Sequence, residues 1–195
     1  MASQFGDVAF QESLLRKNIS EMFNVVDGQK LIRALDVAKS SHHGQKRDEG
    51  EDYVIHPIRV ANTLVGAVGI GDVDVIVAAL LHDVVEDTEV TLIEIGEIFG
   101  VIVAHYVSLL TRDAHMETKE EKFKKTLCRS QEVKLIKTSD WLDNLRSFRG
   151  RVDRGDRWQR HLREAQEMYI PLAQSTHNSY LIDEMIKAFE VAQGL

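Results

Sequence analysis

The sequence has one cysteine, two prolines and no long apolar run, and each scarcity excludes a class of protein. The single Cys128 cannot form an intramolecular disulfide, so the sequence predicts a protein of the reducing cytoplasm. No stretch approaches the ~20 apolar residues of a membrane-spanning helix. Residues 1–8 lack a basic segment followed by an apolar one, so no signal peptide is predicted.

Basic charge is also scarce. The formal net charge of −7 argues against a general nucleic-acid-binding protein, which normally carries a strong basic footprint. A local basic cluster can still bind a small anion inside an acidic protein. The remaining composition, 44% hydrophobic and 28% charged, is that of a globular chain. With 195 residues, the sequence predicts one domain spanning residues 1–195.

Apolar residues recur at helical spacing along most of the chain, and few prolines interrupt them. Helices are predicted over 12–26, 31–43, 57–64, 73–86, 92–99, 101–110, 133–148, 158–169 and 176–192. We expect residues 1–10 to be loose and the polar segment 45–55 to be a loop. Because no convincing strand or internal repeat is found, the predicted fold is an all-α, single-domain helical bundle.

The stretch 80–88, LLHDVVEDT, is the most informative part of the sequence. It follows an apolar run typical of a buried helix, yet it carries several ionisable groups, which are costly to bury without partners. On one helix, His82, Asp83 and Glu86 would share a face, because they are three and four positions apart. This pattern fits half of a metal site, with a solvated helix end and a chance His–Asp pair as the alternative.

Two further candidate ligands lie far away in the sequence. His56 stands at a loop-to-helix junction, and Asp140 lies on a later predicted helix. Two imidazoles and two carboxylates suit Mn²⁺, Fe²⁺ or Zn²⁺. Taken singly, His56 could cap a helix and Asp140 could pair with Lys137, so the argument depends on the set.

The pattern His…His-Asp…Asp at 56, 82–83 and 140 resembles the HD superfamily of metal-dependent phosphohydrolases. Longer segments are similar to the hydrolase domain of the RelA/SpoT-homologue family, which removes the 3′-pyrophosphate from the alarmones ppGpp and pppGpp of the stringent response. These segments are HHGQKR (42–47), YVIHP (53–57), LLHDVVEDT (80–88), TLIEIGEIFG (91–100), KTSDWLDNLR (137–146) and EMYIPLA (167–173). The resemblance covers residues 31–173, about three quarters of the chain.

Carried over residue by residue, the resemblance implies a Mn²⁺ site and a set of catalytic and binding residues. The implied ligands are His56, His82, Asp83 and Asp140. Glu86 and Asp87 match the family's catalytic acidic pair, in which Glu86 would orient or deprotonate a water and Asp87 would assist. The implied nucleotide contacts are Arg47 on the base, Tyr53 beside it and Asn144, with Lys119 and Lys122 as candidates for the 3′-diphosphate.

The sequence departs from the family pattern in the acidic segment DEGED at 48–52. Its four carboxylates either repel a polyanion or remain in solvent, so (p)ppApp and NADPH stay open as alternative substrates. Because the chain stops at residue 195, no synthetase domain is expected, and a stand-alone small alarmone hydrolase is predicted. A small-molecule nucleotide is the expected partner, without nucleic acid or membrane; exposed terminal helices leave a dimer open.

Two other readings remain. An HD phosphohydrolase could act on another nucleotide, such as a deoxynucleotide 5′-phosphate, but the segment Glu86-Asp87-Thr88 and the spacing from Arg47 to His56 argue against it. A catalytically inactive alarmone sensor is disfavoured because the four ligand types and both acidic residues are present.

Overall fold

The computed structural model describes residues 4–112, 116–147 and 155–194. Helices make up its regular structure, and within the described ranges the only β-type pairing is an isolated bridge between Lys46 and Asp52. The all-α fold class is therefore confirmed. The chain divides into two compact units, residues 1–113 and 114–195. The predicted single domain stays a prediction.

The first unit holds seven α-helices among its described residues: α1 (Val8–Met22), α2 (Val25–Ser41), α3 (Ile55–Asn62), α4 (Val73–Leu80), α5 (Val84–Asp87), α6 (Leu92–Phe99) and α7 (Val101–Leu110). A short 3₁₀ turn (Gln4–Gly6) precedes α1, and a π-helical segment (Thr63–Val68) extends α3. Helix α4 packs against α2, α3 and α7, and every residue from Val75 to Leu80 is buried. This apolar helix is part of the core and supports the start of the stretch 80–88.

The second unit contains α8 (Lys119–Leu127), α9 (Gln131–Ser147), α10 (Asp156–Glu164), α11 (Ile170–Ser175) and α12 (Ser179–Gln193). A π-helical segment (Ala165–Tyr169) joins α10 to α11. Helix α9 packs against α8, α11 and α12, and its buried apolar residues include Ile136, Leu142 and Leu145. Helix α9 also carries Asp140 and Asn144.

Helix starts follow local chemistry where the sequence predicts a cap. The Asp72 carboxylate accepts hydrogen bonds from the backbone N–H groups of Asp74 and Val75, which are left without partners at the start of α4. At α6, Thr91 and Glu94 form the predicted capping box, each side chain accepting from the other's backbone N–H. Both predictions are confirmed.

The N-terminal region differs from its prediction. Residues 4–10 are not loose: Asp7 caps α1 by accepting the Phe10 N–H, and Phe5 lies 4.0 Å under the guanidinium of buried Arg59. The predicted helix over 12–26 is also wrong at its end, because Asn24 caps α2 by accepting the Asp27 N–H. Asp27 and Gly28 therefore lie in the first turn of the second helix. None of the helices in the described ranges has the length and apolarity needed to cross a bilayer.

Candidate metal centre

His82 and Asp83 lie in a turn between two helices, and the prediction of one continuous helix through Glu86 is wrong. Helix α4 ends at Leu80, and α5 begins at Val84. In a continuing helix the Ala79 carbonyl would accept the N–H of Asp83. Here His82 Nδ1 lies 2.7 Å from that carbonyl oxygen, so the imidazole takes the place of the Asp83 N–H. The His82 side chain therefore contacts the acceptor that a further turn of α4 would use.

Three candidate ligands meet at this turn. His82 Nε2 lies 3.2 Å from His56 Nε2 and 3.2 Å from Asp83 Oδ1, while His56 Nε2 lies 3.5 Å from Asp83 Oδ2. Both imidazoles are buried, and one ligand atom from each of the three residues lies within 4.8 Å of the others. His56 reaches the site from the first turn of α3, which packs against α4. The structure brings these three predicted side chains together, and their assignment as metal ligands stays a prediction.

The protonation of His82 favours metal binding. A carbonyl oxygen can only accept, so Nδ1 carries the proton that it donates to Ala79, and Nε2 is the ring nitrogen that faces the other two candidate ligands. A second-sphere hydrogen bond of this type is common at metal-ligating histidines, where it fixes the tautomer and the ring orientation. The Nε2 atom of His82 is therefore the one placed to bind an ion beside His56 and Asp83.

The donor set fits a divalent ion. Ligand atoms that share an ion through bonds of about 2.1 Å lie about 3.0–3.4 Å apart in octahedral or tetrahedral geometry. The two separations of 3.2 Å lie within this range, and the separation of 3.5 Å lies just above it. Buried nitrogen lone pairs beside a carboxylate also need a shared cation or proton between them. The three residues thus suit a divalent metal ion with mixed N/O ligands.

The fourth predicted ligand belongs to the second unit. Asp140 is buried on α9, where one carboxylate oxygen lies 2.8 Å from Lys137 Nζ and the other accepts a 2.7 Å hydrogen bond from Asn144 Nδ2. Helical spacing of three and four residues produces both contacts, as expected from the sequence. The ion pair with Lys137 is the alternative to metal binding that the sequence leaves open for Asp140. The assignment of Asp140 as a metal ligand stays a prediction. The assignment of Asn144 as a nucleotide contact also stays a prediction.

Asp87 is connected to the candidate ligand Asp83 through Tyr53. The Tyr53 hydroxyl lies 2.7 Å from Asp83 Oδ2 and 2.9 Å from Asp87 Oδ2. Burial raises the pKa of the Asp87 carboxyl above its usual value, and the neighbouring Asp83 charge raises it further. Burial and the same two carboxylates raise the pKa of the Tyr53 phenol well above its ordinary range, so the phenol remains a donor. A cation at Asp83 would lower the pKa of Asp87.

Glu86 is held by a residue that sequence reasoning missed. The backbone N–H of Arg112, just after α7, donates a 2.9 Å hydrogen bond to Glu86 Oε2, and the Arg112 guanidinium lies 4.0 Å from Oε1. Helix α7 packs against α4, and this packing brings the two segments together across 26 residues of sequence. Glu86 keeps 30% of its side chain exposed, which leaves one face open to water or substrate.

His42 and Gln45 form a layer of side chains that contacts Tyr53 and Asp87. The sequence marks these two residues only as members of the HHGQKR motif (42–47). The Gln45 side-chain amide donates a 2.9 Å hydrogen bond to the Asp87 carbonyl, and its oxygen lies 2.9 Å from His42 Nδ1. The buried His42 ring stacks on Tyr53 with centroids 4.7 Å apart. This layer supports Tyr53 and Asp87 from the side of the 45–53 loop.

The acidic segment 48–52 has its charges paired. Glu49 lies 3.8 Å from Arg47 Nε, Glu51 lies 3.1 Å from Arg59, and Asp52 lies 2.7 Å from Lys46 Nζ. Arg47, the predicted base-contacting residue, also stands 5.9 Å from the centre of the Tyr53 ring. These carboxylates are therefore offset by local cations, which reduces their repulsion of a polyanion.

The two predicted diphosphate-binding lysines lie on α8 of the second unit and have different environments. Lys119 forms a 2.9 Å ion pair with Glu164, which also accepts a hydrogen bond from Tyr169. Lys122 is buried, with 9% of its surface exposed. These surroundings do not mark either lysine as an open anion site, so their role stays a prediction.

We predict that a divalent ion stabilises the metal-free protein against heat. At a free Mn²⁺ concentration about 100 times the Kd, binding adds about 2.7 kcal/mol, which corresponds to about 5–10 °C in Tm for a chain of this size. Thermal unfolding followed by circular dichroism, with and without Mn²⁺, measures the shift. Excess chelator should reverse it, and an unchanged Tm together with undetectable binding would contradict the assignment.

Comparison with known proteins supports this site. The HD domain family profile matches residues 34–176, most of the chain. The chain is 37% identical over 177 residues to an Aquifex aeolicus guanosine-3′,5′-bis(diphosphate) 3′-pyrophosphohydrolase, covering 88% of this chain but 24% of that protein. It is 38% identical over 140 residues to the mouse guanosine-3′,5′-bis(diphosphate) 3′-pyrophosphohydrolase MESH1, covering 69% of this chain and 77% of that protein.

A solved structure has the same fold. A metazoan ortholog of SpoT that hydrolyzes ppGpp superposes with a TM-score of 0.73 at 31% identity, covering 83% of this chain and 94% of that one. The chain therefore spans about a quarter of the Aquifex relative and most of the shorter metazoan ones. On these matches, the chain belongs to the HD domain family, in the branch that contains the guanosine-3′,5′-bis(diphosphate) 3′-pyrophosphohydrolases.

Proposed function

We propose that this protein is a Mn²⁺-dependent hydrolase that removes the 3′-pyrophosphate from (p)ppGpp, giving GDP or GTP and pyrophosphate. The observation that carries the proposal is the meeting of His56, His82 and Asp83 within 4.8 Å, followed directly by Glu86 and Asp87. Relatives with the name of this activity share 37–38% of their aligned residues with the chain. Asp140 is proposed as the fourth ligand. A cytoplasmic location is part of the proposal and rests on the single cysteine.

Hydrolysis requires a water oxygen to bond to the phosphorus next to the ribose O3′, while the bond from that phosphorus to O3′ breaks and O3′ takes up a proton from solvent to become the 3′-hydroxyl. A bound divalent ion supplies charge stabilisation at the phosphoryl oxygens and lowers the pKa of a bound water. Glu86, one helical turn beyond Asp83 and partly exposed, is the proposed acceptor of the proton released by the attacking water. Asp87, held by Tyr53, is proposed to help orient that water.

The reaction is tested by separating products on an anion-exchange column. Metal-free protein is incubated with ppGpp, pppGpp, ppApp, NADPH and a deoxynucleoside triphosphate, each with and without Mn²⁺. The proposal expects Mn²⁺-dependent release of pyrophosphate from ppGpp and pppGpp. Turnover of ppApp alone would keep the chemistry and change the base preference. Turnover of the deoxynucleotide alone, or of no substrate by metal-loaded protein, would overturn the proposal.

Arg47 is predicted to contribute to binding of the nucleotide and little to the chemical step. We expect Arg47→Ala to raise KM for ppGpp by about tenfold, since stacking of a guanidinium on a ring contributes about 1–2 kcal/mol when desolvated. Steady-state kinetics measure the change, and kcat should stay within twofold. Arg33→Ala is the matched control, because Arg33 lies 6.0 Å from the Phe99 ring outside the site. An unchanged KM in Arg47→Ala would contradict the assignment.

A further inference from the structure

The Tyr53 hydroxyl contacts two carboxylates that have different roles in the proposed site. Its oxygen lies 2.7 Å from Oδ2 of the ligand Asp83 and 2.9 Å from Oδ2 of Asp87. A phenol has one proton to donate, so it donates to one carboxylate at a time. Both carboxylates are nevertheless held at hydrogen-bonding distance from the same oxygen atom. Tyr53 therefore links the metal-ligand segment to the catalytic segment four residues further on.

Tyr53 is itself fixed on several sides. Its backbone N–H donates a 3.0 Å hydrogen bond to the Gln45 carbonyl, and its ring stacks on His42. The edge of the ligand His56 also meets the Tyr53 ring, with centroids 6.1 Å apart and planes at 75°. A side chain restrained by packing and by its own backbone can hold its neighbours in place with little loss of its own freedom.

The Gln45 side chain contacts both Asp87 and His42. The direction of its hydrogen bonds follows from the Asp87 carbonyl oxygen. The Asp87 carbonyl oxygen can only accept, so the Gln45 amide nitrogen must face it. The amide oxygen then faces His42 Nδ1, which must carry a proton. Gln45 thus holds the backbone of Asp87 while Tyr53 holds its side chain. Two independent contacts from the 42–53 segment fix the same acidic residue.

We propose that Tyr53 is a positioning residue that holds Asp83 and Asp87 in the geometry required for metal binding and water attack. The sequence predicts a different role for it, in shaping the nucleotide pocket. The kinetic part of this inference rests on the proposed function, whereas the metal-binding part does not. Removing the hydroxyl leaves the aromatic ring, so Tyr53→Phe separates positioning from pocket shape.

Tyr53→Phe is expected to weaken Mn²⁺ binding and to slow turnover. Loss of an outer-shell partner typically lowers metal affinity or activity by about 10–100-fold, so we expect a Kd for Mn²⁺ raised about tenfold and kcat lowered at least tenfold. The KM for ppGpp at saturating Mn²⁺ should stay within twofold. Isothermal titration gives the Kd, and Tyr180→Phe, at a half-buried tyrosine on α12, is the matched control.

A double-mutant cycle distinguishes action through Asp87 from direct contact with the nucleotide. If Tyr53 works through Asp87, the kcat loss in Tyr53→Phe combined with Asp87→Asn should be clearly smaller than the product of the two single losses. Multiplicative losses, a raised KM with unchanged kcat, or unchanged Mn²⁺ affinity in a folded Tyr53→Phe protein would overturn the inference. Wild-type protein that binds Mn²⁺ but hydrolyses no alarmone would instead overturn the proposed function, while the affinity comparison would still test Tyr53.

Discussion

Asp83→Ala is expected to abolish Mn²⁺ binding and to lower the hydrolysis rate by at least about 10³-fold, with helical content unchanged. Asp83 supplies the only carboxylate in the group of three candidate ligands, and its oxygens lie 3.2 and 3.5 Å from the two imidazoles. Without it, the proposed site keeps two imidazoles and only one carboxylate, that of Asp140, for a hard divalent ion. Loss of the ion removes several kcal/mol of charge stabilisation, and each 1.36 kcal/mol is about tenfold in rate.

The helices should survive this substitution because the Asp83 side chain does not cap a helix. It stands at the N-terminus of α5, but its side chain makes no capping hydrogen bond there. Circular dichroism tests the fold, isothermal titration tests Mn²⁺ binding, and pyrophosphate release tests the rate. Asp36→Ala, which removes an exposed carboxylate from α2 of the same unit, should retain all three properties. A folded Asp83→Ala protein that binds Mn²⁺ with wild-type affinity would contradict the ligand assignment.

Glu86→Ala is expected to show the second-largest effect, a loss of about 10²–10⁴-fold in kcat with Mn²⁺ affinity nearly unchanged. The reason is that Asp83 and Glu86 have different proposed roles, metal binding and proton acceptance, although they lie only three residues apart. Glu86 lies outside the group of three meeting ligands, and its carboxylate is instead held by the Arg112 N–H at 2.9 Å. Removing it should take away the acceptor for the proton of the attacking water and leave the ion in place.

The measurement pairs a Mn²⁺ titration with single-turnover hydrolysis of ppGpp by the loaded protein. Single turnover isolates the chemical step from product release. An effect on proton transfer must appear in that chemical step. Glu89→Ala is the matched control, since Glu89 is an exposed acidic residue three positions further along the chain. A Glu86→Ala variant with near-normal turnover would show that another group activates the water.

Features that depend on neighbouring residues could be read from the sequence. The caps at Asp72 and Thr91 were predictable because a side chain satisfies backbone donors two or three residues away. The all-α class followed from helical periodicity in the same local way. The end of α4 was not predictable, because the apolar period runs on through Leu81 and no local pattern marks the contact of the His82 side chain with the Ala79 carbonyl.

Features that depend on tertiary packing escaped sequence reasoning. Arg112 meets Glu86 from 26 residues away, and no spacing rule joins a loop after one helix to the acidic end of another. The position of Tyr53 between Asp83 and Asp87 likewise needs the 45–53 loop to fold back on α5. The acidic segment was ambiguous for the same reason, because its charges pair with Arg59 on α3 as well as with cations of the loop.

The most direct test follows metal occupancy and catalysis in one titration. Metal-free protein is titrated with Mn²⁺ while electron paramagnetic resonance reports free Mn²⁺ and a coupled assay reports pyrophosphate released from ppGpp. We predict that no hydrolysis occurs without metal and that the rate rises in proportion to bound Mn²⁺, both reaching a plateau at one ion per chain. Hydrolysis in the presence of a strong chelator, or a rate that does not follow occupancy, would contradict a metal-dependent site built on His56, His82 and Asp83.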